Sequence, residues 1–271
     1  MSDVVSHYSG SGDLVAAIRD ALTNAGVDVD RVSTLALAPV DEFHIRGRTA
    51  TLEIAEAMAI NDESIVLDLG SGLGGPARTL AEVISCQVAG IDLTPEFCET
   101  AARLSEWTGL ADRTHFAVGD ATALDFRDGA FDAAMTIHVA MNIADKAGMY
   151  REARRVLRQG GRFVVYDVLQ GPGGDVHFPV PWARDASTSH LVTTEQMREL
   201  LHDAGFTVIA ETDSSAESRD WFAAMAARMA QSGPPPVTFA AFLGSDFAEM
   251  ARNQVANLTE DRIRTVMFVC R

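Results

Sequence analysis

The chain has 271 residues, 47% hydrophobic and 22% charged, an ordinary globular composition long enough to bury a large core without disulfide staples. Its 22 Lys plus Arg against 38 Asp plus Glu give a formal charge of −16, which excludes a nucleic-acid-binding body and a protein drawn to anionic lipid, since both need a positive face. Three cysteines without CxxC spacing exclude a zinc knuckle or disulfide framework, and with no signal-peptide pattern or long apolar run the expectation is a cytoplasmic protein with reduced thiols.

Residues 1–12 are polar and rich in Gly and Ser, the composition of a mobile end. Helical spacing of Leu14, Ala17, Ile18, Ala21 and Leu22 predicts a helix over 13–25 that Gly26 stops. Residues 32–48 mix apolar groups with Pro39, His44 and Gly47 and receive no element, and 49–58 read as a second helix. The first sixty residues thus form a helical lid ahead of the first strand, at 64–69. A glycine-rich turn, GSGLGG at 70–75, follows, with Pro76 suited to a first helical turn. Strands are then predicted at 87–93, 114–118, 131–137, 162–169 and 206–211. Helices are predicted from Thr94-Pro95 to Trp107, over 147–158 with a stop at Gln159-Gly160-Gly161, and from the cap Thr193 to Asp203. Two further helical stretches, 215–229 and 239–256, are joined through Gly-Pro-Pro-Pro, and 263–269 has strand composition.

Strands separated by helices imply right-handed crossovers and a mostly parallel sheet covered on both faces. IVLDL and FVVYDV are the near-continuous apolar runs of buried parallel strands. The organisation expected is a lid over 1–60 and an α/β domain over 61–271, with an acceptor loop at 170–192 and a helical insertion at 215–260.

The glycine turn satisfies two patterns. Gly70, Gly72 and Gly75 fit G-x-G-x-x-G, the dinucleotide form, while Gly70, Gly72 and Gly74 fit G-x-G-x-G, the adenosylmethionine form. Asp68, two residues ahead, would repel a pyrophosphate but suits a cationic amino-acid moiety. Asp92, at the end of the second strand, can accept both ribose hydroxyls, and Asp120, at the end of the third, can accept from an adenine amino group. Three acids at successive strand ends suit a ligand with adenine, ribose and a cation.

VLDLGSGLGG, AGIDLT, VGDATALDF, FDAAMTIHVAMNI and EARRVLRQGGRFVVYDV, taken in order, resemble the class I S-adenosylmethionine-dependent methyltransferases over residues 43–211. DEFHIRGRTATLEIA and the GSGLGGPAR form are similar to the small-molecule branch with sarcosine/dimethylglycine N-methyltransferases, tocopherol-type enzymes and sugar O-methyltransferases. The resemblance implies a Rossmann-like seven-stranded, mostly parallel sheet with helices on both faces and an antiparallel last strand. It implies S-adenosylmethionine as cofactor and S-adenosylhomocysteine as product. Asp68, Gly70, Ser71, Gly72 and Gly74 would cradle the methionine end, Asp92 and Leu93 the ribose and adenine, and Asp120 and Ala121 the adenine. His138 would line the sulfonium pocket, and His44 belongs to a segment that closes over the cofactor, with Tyr8 a weaker lid candidate.

Methyl transfer is an in-line displacement from an activated donor, so positioning and desolvation carry much of it, and a base is needed only for a protonated acceptor. Asp167 and His138 are the candidate proton acceptors. Related sugar O-methyltransferases use the Asp167 position as a base and carry paired histidines where this chain has Met141-Asn142. The loop over 171–192 is long enough to be functional. In it Trp182 suits an apolar or cationic acceptor and Arg184 a carboxylate, so His44, Met141, Asn142, Trp182 and Arg184 form the acceptor set. No metal-ligand pattern occurs among the histidines. The function expected is N- or O-methylation of a small amino-acid-like or natural-product acceptor, in a protein compatible with a homodimer. C-methylation of a terpenoid or polyketide is the nearer alternative, and an NAD(P)-dependent oxidoreductase the more distant one.

Overall fold

A computed structural model of the chain describes residues 13–233, 235 and 246–271. The expectations for 1–12, including Tyr8, and for the first residues of the 239–256 helix lie outside the described residues. Seven strands form one sheet in the order β3-β2-β1-β4-β5-β7-β6. β1 (Ile65–Leu69), β2 (Gln87–Asp92), β3 (Thr114–Val118), β4 (Phe131–Ile137) and β5 (Leu157–Gln170) run parallel. β7 (Ile263–Cys270) inserts antiparallel between β5 and β6 (Val208–Asp213).

Side-chain alternation along the strands feeds two cores. Leu67, Leu69, Phe163 and Val165 face α6 (Lys146–Val156) and α7 (Thr194–Asp203), whose Met149, Tyr150, Met197 and Leu201 complete one cluster. Val66, Val164 and Tyr166 face α3 (Gly47–Met58) and α4 (Gly75–Ile84), through Ile54, Met58, Ala77 and Leu80. A third cluster joins α1 (Leu14–Asn24) and α2 (Thr34–Asp41) to α5 (Pro95–Trp107). α8 (Ser215–Ser232) and α9 (Phe247–Thr259) precede β7 and pack on each other. The strand order reverses between β1 and β4, which opens a crevice at their carboxyl ends, the place where open α/β sheets bind ligands.

The structure differs from the sequence expectation at three places. Residues 34–41 form helix α2 despite Pro39, because Ser33 caps it by accepting from the Ala36 amide and Leu37 and Val40 are buried. The carbonyl that Pro39 leaves without a helical donor belongs to exposed Leu35. Second, α6 ends at Val156 and β5 begins at once, so Gly160-Gly161 shape an irregularity in β5 rather than a helix stop. Gly160 has φ 78°, pairing jumps from Phe131↔Leu157 to Ala133↔Arg162, and a Cβ on Gly161 would lie 2.8 Å from the Asp132 carbonyl oxygen. Third, β6 starts at Val208, because Phe206 turns inward to stack on Phe163 with ring centroids 5.1 Å apart.

The N-terminal helices, the segment expected to form a lid, are fastened to the base of the crevice by a buried ion pair. Arg78 on α4 has no exposed surface, and its guanidinium donates to Asp41 Oδ2 at 2.7 Å, to the Leu73 carbonyl at 2.5 Å and to the Ala101 carbonyl at 3.0 Å. It therefore holds the end of α2, the glycine turn and α5 together. Gly75 permits the approach, since a Cβ there would sit 2.2 Å from the Asp41 carbonyl oxygen. Beside it the buried Glu42 carboxylate accepts from Thr51 and Thr79, and Arg48 joins Glu82, Thr34 and Thr79. Removing one member of such a pair strands a buried charge. Arg78→Ala is expected to destabilise the fold by about 3–5 kcal/mol in denaturant unfolding, and a loss below about 1 kcal/mol would show that the pair does not hold the lid.

Candidate functional site

Each acid named at a strand end sits at the carboxyl edge of β1, β2 or β3, three neighbours in the sheet. The Gly70 and Ser71 amides both donate to the Ile91 carbonyl at 2.9 Å, which hooks the turn over β2. The Gly72 amide donates to Asp92 Oδ2, and the Thr94 amide to Asp92 Oδ1, each at 2.9 Å. Asp92 thus braces the glycine turn from the side, with lone pairs left for a ligand. Gly70, Gly72 and Gly74 all have positive φ, at 77°, 51° and 77°. A Cβ would strike Val139 at Gly70 and Phe116 at Gly74, whereas at Gly72 it would meet nothing within 4 Å. The turn is packed on two sides and open at Gly72.

Asp68 is 2% exposed, and its Oδ2 has no hydrogen-bond partner; the buried Ser71 hydroxyl has none either. Burial, then the nearby Asp92 and Glu42 carboxylates, push Asp68 up to about 8. Burial likewise raises Asp92. A carboxyl kept neutral by burial and like charge, and a buried hydroxyl in the adjoining turn, are left with hydrogen-bonding capacity that a polar ligand can fill. Asp120 Oδ1 accepts from the Thr122 amide and hydroxyl, at 2.8 and 2.7 Å, which fixes the loop after β3. Ala121 in that loop is buried, and Leu93 is half-buried at the end of β2. These residues fit an adenosyl group with a charged amino-acid end.

On the other side of the crevice three rings meet. His138 stands 5.0 Å from Tyr166 and 6.0 Å from His44, centroid to centroid, and His44 is 6.4 Å from Tyr166. His138 has φ 54°, and its amide donates to the Tyr166 carbonyl at 2.8 Å. His44 Nε2 lies 2.9 Å from the Gly47 carbonyl oxygen and 3.2 Å from the Thr51 hydroxyl, while the Tyr166 hydroxyl donates to the Ile45 carbonyl at 3.3 Å. His138 Nε2 is buried without a partner. Burial holds both imidazoles neutral, His44 down to about 4 and His138 well below the ordinary value.

The remaining acceptor-side residues are distributed differently. The buried Asp167 takes the Met141 amide at 3.2 Å on Oδ2 and the Val168 amide at 2.8 Å on Oδ1, and burial pushes it up to about 7. Asn142 Nδ2 donates to the Trp182 and Thr188 carbonyls at 2.8 and 3.0 Å. Trp182 is 1% exposed, its indole packed with Ile45, Met141 and Val168 and its Nε1 donating to Ser189. Arg184 turns outward to Asp246 at 2.6 Å. Sequence reasoning passed over Asp41, Glu42 and Arg78, whose adjacent acids in DEFHIR were the available signal. It also passed over Tyr166 and Lys146. The Lys146 ammonium is buried and donates to the Ile143 and His190 carbonyls, and its being the chain's one lysine was the clue. Among the described residues no three His, Cys, Asp or Glu side chains converge as metal ligands would.

Residues 67–165 match the general methyltransferase domain. Methyltransferase GfsG of Streptomyces halstedii is 30% identical over 220 residues, 80% of this chain and 77% of that protein. The chain belongs to the class I S-adenosylmethionine-dependent methyltransferases. A sterol 24-C-methyltransferase of Aspergillus fumigatus is 37% identical over 116 residues, 43% of this methyltransferase, which spans only 31% of the length of that relative. The crystal structure of the [4+2]-cyclase SpnF aligns at a TM-score of 0.62 and 26% identity, over 82% of this methyltransferase and 80% of that chain. Within this family setting Gly75, the third glycine of the dinucleotide pattern, has a packing role against Asp41.

Asp68 links the site to stability. Its folded pKa of about 8 lies above the ordinary 3.8, so between those values the folded protein holds a proton that the unfolded chain has lost, and stability falls as pH rises through that window. Asp68→Asn removes this dependence. The ligand-free variant is expected to melt above wild type near pH 8, with the gap shrinking toward about pH 4; melting curves at the two pH values check it, and a gap independent of pH overturns it.

Proposed function

We propose that this chain binds S-adenosylmethionine across the ends of β1, β2 and β3 and passes its methyl group to a small-molecule acceptor held on the His138 side. The observation that carries the reading is the buried, unpartnered Asp68 carboxyl beside the open face of Gly72. In this reading Asp68, Gly70, Ser71, Gly72 and Gly74 hold the methionine end. Asp92 and Leu93 hold the ribose, and Asp120 and Ala121 the adenine. When bound, the sulfonium supplies an activated methyl group.

The protein's own part is to orient the acceptor and exclude water. His138, neutral with a free Nε2, takes the proton of an acceptor that carries one. Asp167 acts with it, and its backbone hydrogen bonds keep the segment after β4 in place. N-, O- and C-methylation all fit this frame, and the sterol relative adds weight to carbon. The cytoplasm is the setting proposed, in keeping with three free, buried cysteines. A second reading, in which the fold rearranges a bound molecule without moving a methyl group, is favoured by the likeness to a cyclase.

Calorimetry separates these readings from an oxidoreductase, because S-adenosylmethionine should bind and NAD(P) should not. Production of S-adenosylhomocysteine with acceptors separates methyl transfer from cyclisation. Loss of the Asp92 contacts in Asp92→Ala should weaken cofactor binding about tenfold or more, and unchanged affinity removes Asp92 from the ribose. Asp167→Asn should lower turnover with cofactor affinity near wild type; equal turnover would exclude Asp167 from the reaction.

A further inference from the structure

The chain's one lysine stands where a lysine is costly. Lys146, the first residue of α6, is 4% exposed, so its ammonium is largely removed from water. It donates to the Ile143 carbonyl at 2.8 Å and to the His190 carbonyl. The first belongs to the segment after β4 and the second to the end of the long loop after β5, so one ammonium joins the two. A buried charge also calls for a countercharge, and Asp167 supplies it. Burial raises the Asp167 carboxyl and lowers the Lys146 ammonium, and the charge of each draws the other back toward its ionised form. The neighbouring titratable groups do not compete for this role. Burial, then Asp167, holds the Tyr150 hydroxyl of α6 well above its ordinary value, and burial, then Lys146, lowers the His190 imidazole. Asp145, beside Lys146 in sequence, is turned to the Gly148 amide at 2.8 Å.

Geometry shows what the Asp167 charge holds. Its Oδ1 takes the Val168 amide at 2.8 Å and its Oδ2 the Met141 amide at 3.2 Å, and the Ala140 amide is a third donor. Ala140 and Met141 open the short helical turn that follows His138. His138 has φ 54°, in the left-handed region that a residue with a side chain enters at a cost, so its backbone needs support from both sides. On one side its own amide donates to the Tyr166 carbonyl. On the other the grip of Asp167 on Ala140 and Met141 provides it. A carboxylate is acceptor-only and can take three amides, whereas a neutral carboxyl carries an O–H that a buried site must answer.

We propose that Lys146 is a positioning residue for His138: it supplies the countercharge for Asp167, which grips the turn after His138, and it ties that segment to the end of the long loop. What His138 then does rests on the methyltransferase reading. Because the chain has one lysine, isotopically labelled lysine in the full chain gives a single side-chain ammonium signal in NMR. In Asp167→Asn that signal should titrate about one pH unit or more lower than in wild type. In Lys146→Met the Ala140 and Met141 amides should exchange about tenfold or more faster, and the His138 ring signals should move, while β2 amides keep their protection. The difference should open as pH falls from alkaline toward neutral, since Asp167 without its countercharge takes up its proton at higher pH. Lys146→Arg, which keeps the charge, should restore part of the protection. An unmoved lysine titration in Asp167→Asn overturns the proposal, as does unchanged exchange at Ala140 and Met141 or a loss of protection spread equally over β2. These measurements need no cofactor. If they come out as expected and the protein fails to bind S-adenosylmethionine, the pairing stands and the methyltransferase reading falls, so the two failures are distinguishable.

Discussion

A guanidinium with no exposed surface needs buried acceptors, and Arg78 draws them from three separate stretches of chain, although its Nε is left without a partner. Asp41 comes from the lid, the Leu73 carbonyl from the glycine turn and the Ala101 carbonyl from α5. The contact cannot form unless α2 lies against α4, and Gly75 is the residue whose missing side chain lets it. Burial raises the Asp41 carboxyl to about 6 while Arg78 draws it down, so the lid contact opposes desolvation with attraction. The glycine turn, the floor of the crevice and the N-terminal helices are therefore tied together by one charge pair, beside the apolar cluster that joins α1 and α2 to α5.

The crevice above it works with charge of the other sign. Asp92 and Glu42 are close enough to raise the proton affinity of Asp68, an arrangement unfavourable in the empty site. A cationic ligand relieves the repulsion. The same carboxylates that weaken the ligand-free fold thus favour the filled one, the usual exchange of stability for binding at functional sites. Across the crevice His44, His138 and Tyr166 meet beside a buried apolar cluster, and His138 Nε2 is buried without a partner.

Much of this was legible in the sequence because periodicity and turn chemistry are local. The five parallel strands, a strand at 263–269 and the N-cap Thr193 with its Gln196 partner follow from short-range patterns, whereas the antiparallel sense of β7 follows from the family resemblance and its place inside the sheet, between β5 and β6 rather than at the edge, from neither. The acids at strand ends were legible for the same reason, since each follows an apolar run. Helix α2 was not, because Pro39 masks a segment that burial of Leu37 and Val40 makes helical. Nor was Phe206, whose aromatic character reads as strand until Phe163 is seen beside it. Arg78 sits 37 residues from Asp41. No local pattern reports such a contact. Trp182 and Arg184 are near neighbours in sequence that face opposite ways, inward to the apolar cluster and outward to Asp246, a division that composition alone does not reveal.

The long loop after β5 is stapled at two points. Near its start the His177 amide and carbonyl exchange hydrogen bonds with the Asn257 side chain, at 2.8 and 2.9 Å, and Arg262 donates to the Asp175 carbonyl. Near its end the His190 amide donates to the Met141 carbonyl at 2.7 Å, while Lys146 and Asn142 take the carbonyls of His190 and Thr188. A strap fastened at both ends does not swing like a door. Passage into the crevice on this side requires breaking one whole set of fastenings, or carrying α9 along with the loop.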